Sequence, residues 1–217
     1  KPGEIWPGAI WADTDGVHIN AHGGGILDHD GLYYWYGEHK VAGPGGNRAQ
    51  VGVRVYRSED LVNWENAGVA LAVEDEPDQS DDVPGEIVRG CTIERPKVLY
   101  NERTGRFVMW FHLELRGLGY RAARTGVAVA DHPTGPFEYL GSDRPNPARF
   151  PIGISPELRE RASKQMGEDP GADPTNASRA DSCFVRDFYG GQMARDMTLF
   201  LDDDGTAYHI FASEENY

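Results

Sequence analysis

The chain has 217 residues and a formal net charge of −14, with 35 acidic against 21 basic side chains. Such a surface repels phosphate, which excludes nucleic acid and anionic membrane as natural partners, and no run of about 18 apolar residues offers a membrane span. Aromatic residues make up 11% of the chain, too many for disorder, and 27 glycines with 14 prolines spread along it call for many tight turns. No apolar segment follows Lys1, so the expectation is a chain that starts mature, clipped or recombinant. Cys91 and Cys183 lack metal-site spacing and read as two buried thiols or as one bridge.

The first predicted element is a hairpin over residues 25–36, where Asp28-His29-Asp30-Gly31 separates two β-branched and aromatic runs. Glycine at such a turn supplies a positive φ without steric cost. A second strand pair follows, from Gly52-Val53-Arg54-Val55-Tyr56 to Asn63-Trp64-Glu65. Residues 96–110 then repeat the hairpin around Gly105, and residues 126–141 repeat the second pair. Gly31 and Gly105 are 74 residues apart, and so are Gly52 and Gly126. Two marks at one offset define a repeated unit of four antiparallel strands, which is a propeller blade.

Residues 142–192 interrupt the series as a polar insertion rich in proline and glycine. Within it Ser155 and Pro156 predict the start of a short helix carrying Leu158, Ala162 and Met166 on one face. It reads equally as a lid on one rim and as a solvated loop. A third unit opens at Arg195, with a hairpin from Thr198 around Gly205. The expected fold is therefore all-β, a β-propeller of about two and a half blades, with units roughly at 20–72, 94–141 and 195–217.

In a propeller the first strand of each blade lines the central channel. Those strands start at Asn20-Ala21-His22, Glu94-Arg95-Pro96 and Arg195-Asp196-Met197, so each unit delivers a titratable group to one locus: His22, Glu94 and Asp196. Two carboxylates from different blades in one concave site suit acid–base hydrolysis of a sugar bond. Singly, Glu94 can pair with Arg95 or Arg54, and Asp196 can cap a turn. At the ends of the second strands, Glu38 suits a sugar-hydroxyl acceptor, whereas Glu114, Glu214 and Glu215 read as solvated rim. Tyr33, Trp35, Phe107 and Trp110 mostly bury between blades, with a minority free to stack on a pyranose. The Gly23-Gly24-Gly25 run lacks the lysine and helix of a phosphate loop and reads as close backbone packing. His18, His22 and His29 lack zinc-ligand spacing.

At these residues the sequence resembles glycoside hydrolase family 43, the five-bladed propeller glycosidases, most closely its exo-β-1,3-galactanase branch. The likeness is carried by Asn20-Ala21-His22-Gly23-Gly24-Gly25, Tyr33-Tyr34-Trp35-Tyr36-Gly37-Glu38, Glu94-Arg95-Pro96-Lys97-Val98 and Arg195-Asp196-Met197-Thr198. The resemblance implies inverting hydrolysis that removes terminal galactose from β-1,3-galactan side chains, with a family-43-like β-xylosidase or arabinofuranosidase, or a non-catalytic glycan-binding propeller, as alternatives. It implies Asp196 as the carboxylate that tunes the general acid, and Glu94 as an auxiliary carboxylate on substrate hydroxyls. His22, Glu38, Asn20, Arg95 and Trp35 are the implied substrate-binding set. His22 stands where the wider family has its base aspartate, a departure typical of the galactanase branch. The base and the general acid are expected beyond Tyr217, with Glu215 as the fallback acid.

The expected partners are an oligo- or polysaccharide and the remainder of the propeller, on the parent chain or on a second polypeptide. This stretch alone is expected to be inactive. No cofactor is expected, with a structural calcium in the channel as the open alternative. A bacterial, secreted or periplasmic setting follows from the polymeric substrate class.

Overall fold

The computed structural model describes residues 3–74, 86–119, 123–150, 152–168 and 190–213. Glu214, Glu215 and Cys183 lie outside the described residues. The first sheet holds β1 (His22–His29), β2 (Leu32–Lys40), β3 (Gln50–Ser58) and β4 (Glu65–Ala72), antiparallel and in chain order. The second repeats this with β5 (Thr92–Asn101), β6 (Arg106–Glu114), β7 (Ala123–Ala130) and β8 (Glu138–Asp143). A third unit contributes the pair β9 (Met197–Leu201) and β10 (Ala207–Phe211). Innermost strands are neighbours, β1 on β5 and β5 on β9, which is the arrangement of successive blades around one axis.

Period-two alternation builds the core. Tyr34 and Tyr36 of β2 face Phe107, Met109, Phe111 and Leu113 of β6 in one apolar layer between the two blades. The opposite face of β2 carries Tyr33 and Trp35, which pack with Trp11, Tyr56 and Trp64 in a second cluster. The N-terminal segment covers that face, fixed by the Trp11 indole N–H on the Val62 carbonyl at 3.1 Å.

Both inner strands bulge near their starts. His22 pairs with Glu38 and Gly25 with Tyr36, so Gly23 and Gly24 oppose the single residue Gly37. In blade 2, Glu94 pairs with His112 and Lys97 with Trp110, so Arg95 and Pro96 oppose Phe111 alone. The glycine run thus serves close packing: a Cβ on Gly24 would stand 1.7 Å from the Tyr36 carbonyl oxygen.

The predicted helix forms as α1 (Pro156–Glu168). The Ser155 hydroxyl accepts the Leu158 N–H at 3.2 Å, the N-cap its position implied. The second sheet runs on to Asp143, so the excursion begins after that residue rather than at 142.

Candidate functional site

The bulges set the geometry of the inner end of the blades. Glu38, at the end of β2, faces blade 2 with its side chain 1% exposed. Its carboxylate binds the Lys40 ammonium at 2.6 Å and lies 3.3 Å from His22 Nδ1. It also accepts the Arg95 backbone N–H at 3.2 Å. That contact requires Arg95 to hold φ near 56°, a left-handed backbone that a non-glycine residue adopts only when its surroundings fix it. The Arg95 Nε then donates to Asp196 Oδ1 at 2.7 Å. The starts of all three units, His22, Arg95 and Asp196, are thereby linked through one chain of polar contacts.

A second chain runs beside the first. His112 of β6, its side chain fully enclosed, lies 3.2 Å from Glu94 and 3.4 Å from Glu114. The ring nitrogens are off the line of an ideal hydrogen bond, so these contacts are mainly ionic. The Arg195 guanidinium closes the series at 2.9 Å from Glu114. Burial opposes charge on His112, but the two carboxylates outweigh it and raise the pKa of the imidazole. The His112 contact is in turn the main cause that lowers the pKa of Glu94, against the effect of burial.

Lys97 lies beside the first chain and donates to the Gly23 carbonyl at 3.1 Å. Burial, reinforced by the Arg95 charge, pushes its amine down to about 8. Among the described residues no group of three or more His, Cys, Asp or Glu side chains could hold a metal ion.

Several expectations need correction. Glu114 is not solvated rim: its side chain is 13% exposed and shared between His112 and Arg195. Glu94 pairs with His112, not with Arg95 or Arg54, because the bulge aligns it opposite that residue. Glu38 is enclosed and its oxygens are occupied, so it orders the site from beneath rather than presenting a free acceptor. Trp35 lies on the far face of β2, tilted against Trp11 and edge-on to Trp64. Asn20 clamps the end of β2, its amide donating to the Lys40 carbonyl at 2.7 Å. By contrast His22, 71% exposed at its side chain, and Asp196, 57% exposed, are open to a ligand.

His112, Arg195, Lys97 and Lys40 were missed as members of the site. A signal for His112 existed: pairing the hairpin outward from Asn101 and Arg106 brings it within one residue of Glu94. For Arg195 there was none beyond its place next to Asp196.

No protein-family model matches the chain, and no curated protein matches it significantly. Solved structures do. The chain is similar to a glycoside hydrolase family 43 β-1,3-galactosidase solved with galactodeoxynojirimycin, at 46% identity and a TM-score of 0.80 over 98% of its length. It is also similar to an exo-β-1,3-galactanase from Clostridium thermocellum, at 36% identity and a TM-score of 0.66 over 96%. A third likeness is to an exo-β-1,3-galactanase from Phanerochaete chrysosporium solved with β-1,3-galactotriose, at 31% identity and a TM-score of 0.63 over 96%. The chain spans 60% of the first of these chains, 35% of the second and 36% of the third.

Proposed function

We propose, from the premise that this chain belongs to glycoside hydrolase family 43 as part of a catalytic propeller, that it builds one wall of an exo-acting galactosidase site. The substrate in this reading is the non-reducing end of a β-1,3-linked galactan, and the reaction is hydrolysis with inversion. The single observation that carries it is the placement of Glu94 and Asp196 at the inner ends of successive units, tied together through Arg95 and its neighbours. The similarity to β-1,3-galactosidases supports the choice of sugar.

Glu94 then meets the hydroxyls of the terminal sugar, and Asp196 lies beside the general acid. A carboxylate there favours the protonated form of that acid near neutral pH. His22 offers an exposed imidazole to the same subsite. We assign the general acid and the group that activates water to the part of the relatives' length that this chain does not span. The proposed chemistry uses no cofactor, and a polymeric glycan places the enzyme outside the cytoplasm of a bacterium, secreted or periplasmic.

Assay of the complete protein on β-1,3-galactobiose, an aryl xyloside and an aryl arabinofuranoside tests the reading. Release of galactose alone is the expected result. Pentose release moves the assignment to a xylosidase or arabinofuranosidase, and binding of galactobiose without release makes the protein a glycan-binding propeller. Cell fractionation checks the location: intact protein only in the cytoplasm overturns it.

A further inference from the structure

We propose that His112 is a positioning residue: from inside blade 2 it holds the Glu94 carboxylate in the orientation in which it receives a sugar hydroxyl. The proposal rests on the reading of Glu94 given above.

Donor chemistry carries the argument. Each ring nitrogen of His112 lies beside a carboxylate, Nδ1 at 3.2 Å from Glu94 of β5 and Nε2 at 3.4 Å from Glu114 of its own strand. A neutral imidazole has one N–H and one lone pair, so one carboxylate would face a lone pair. Only the imidazolium meets both carboxylates with positive charge rather than a lone pair. The enclosure of the ring leaves no room for water to mediate the mismatch. The neighbouring charges lead to the same state: two carboxylates flank the ring directly, Arg195 binds Glu114, and Lys40 of β2 acts on Glu94 from further off.

The consequence for substrate is specific. Glu94 is fixed through one oxygen by a partner that cannot rotate away, leaving its remaining lone pairs as pure acceptors. An acceptor of fixed direction discriminates among hydroxyl configurations, whereas a carboxylate free to turn would not.

The test uses the complete enzyme on β-1,3-galactobiose with Glu94→Gln, His112→Gln, the double variant and Glu114→Gln. His112→Gln and Glu94→Gln are each expected to lower kcat/KM by about 10-fold or more, mainly through KM. The double variant should be no worse than Glu94→Gln within about 2-fold, since His112 acts through Glu94. Glu114→Gln keeps the imidazole but removes one of its two carboxylates. It should move the His112 titration, read by NMR of the ring, to lower pH, and shift the alkaline fall of kcat/KM with it.

An unimpaired His112→Gln beside an impaired Glu94→Gln overturns the proposal and leaves the role of Glu94 intact. Multiplying losses in the double variant overturn it as well. So does a Glu114→Gln enzyme whose ring titration and pH profile both stay in place, a result that holds even if His112→Gln does not fold. An unimpaired Glu94→Gln instead removes the underlying reading of Glu94 together with this one.

Discussion

Glu38 and His112 occupy equivalent register positions in successive blades, each opposite the residue just before the bulge of the inner strand. Their partners are exchanged: Glu38 faces His22, and His112 faces Glu94. The repeat therefore places an acid–imidazole pair at the inner end of both sheets and swaps which strand carries the acid. In blade 1 the imidazole is the exposed member; in blade 2 it is sealed. One backbone geometry thus leaves an imidazole exposed at the end of one blade and encloses an imidazole at the end of the next.

Asp196 is the most direct test of the channel. Asp196→Asn keeps the shape of the side chain and removes its charge. In the complete enzyme kcat should fall by roughly 10²-fold, as for a lost acid–base contribution, and the pH–rate profile should narrow on its alkaline side. Unchanged kcat with an unchanged profile would show that Asp196 tunes nothing. Stability should barely move, because the Arg95–Asp196 pair is more than half exposed on the acid side and worth at most about 1 kcal/mol.

The Glu94–His112 pair predicts a pH optimum of stability. The pKa of His112 is raised, so its contribution is complete below its unfolded value of about 6.5 and fades as pH rises through the higher folded value. Glu94 is shifted down, so its contribution is complete above about 4.3 and fades as pH falls through the lower folded value. Thermal unfolding followed from pH 3 to 9 should show a plateau between, and Glu94→Gln should flatten both flanks. A variant whose Tm profile matches the parent would show that the pair carries no linkage.

Lys97 gives an independent pH signature. Its folded pKa of about 8 lies below the unfolded value of about 10.4, so the unfolded chain binds more protons between those limits. The parent should gain stability relative to Lys97→Met as pH rises from 7 to 9.5, measured by urea unfolding at both pH values. Equal differences at the two would mean that the amine titrates normally.

Two glycines separate steric need from conformational need. A Cβ at Gly24 would overlap the Tyr36 carbonyl, whereas Gly31, at φ +77°, has nothing within 4 Å. Gly31→Ala should cost about 1–2 kcal/mol of backbone strain, read from urea denaturation. Gly24→Ala must displace a β-strand and should cost at least about 3 kcal/mol or prevent folding. Similar losses at both sites would refute the assigned close approach.

Much of the fold was legible because turns and alternation are local. The glycines at 31 and 105 announce the hairpins, and Ser155-Pro156 announces α1. The charged interior was not legible for a physical reason. Glu38 and Glu114 both end second strands and look alike in sequence, yet they are held by different neighbours: Arg95 from the next blade, and Arg195 from some eighty residues downstream. Trp35 misled for the opposite reason, since its neighbour Tyr36 faces the blade interface and alternation turns Trp35 away.

The bulge at Arg95 and Pro96 changes the parity of β5. Beyond it Val98 joins the apolar layer, and before it Ile93 and Cys91 do, an even position giving way to odd ones. Uninterrupted alternation would have driven Glu94 into that layer, against Met109 and Leu113, at the cost of an unpaired buried charge. The extra residue swings it to the side where His112 waits. Sequence change in this stretch is therefore quantised: shortening the bulge by one residue turns every upstream residue to the other side, Ile93 out of the apolar layer and Glu94 into it, while a change of two restores the sides. A strand built this way tolerates drift in its side chains far better than drift in its length.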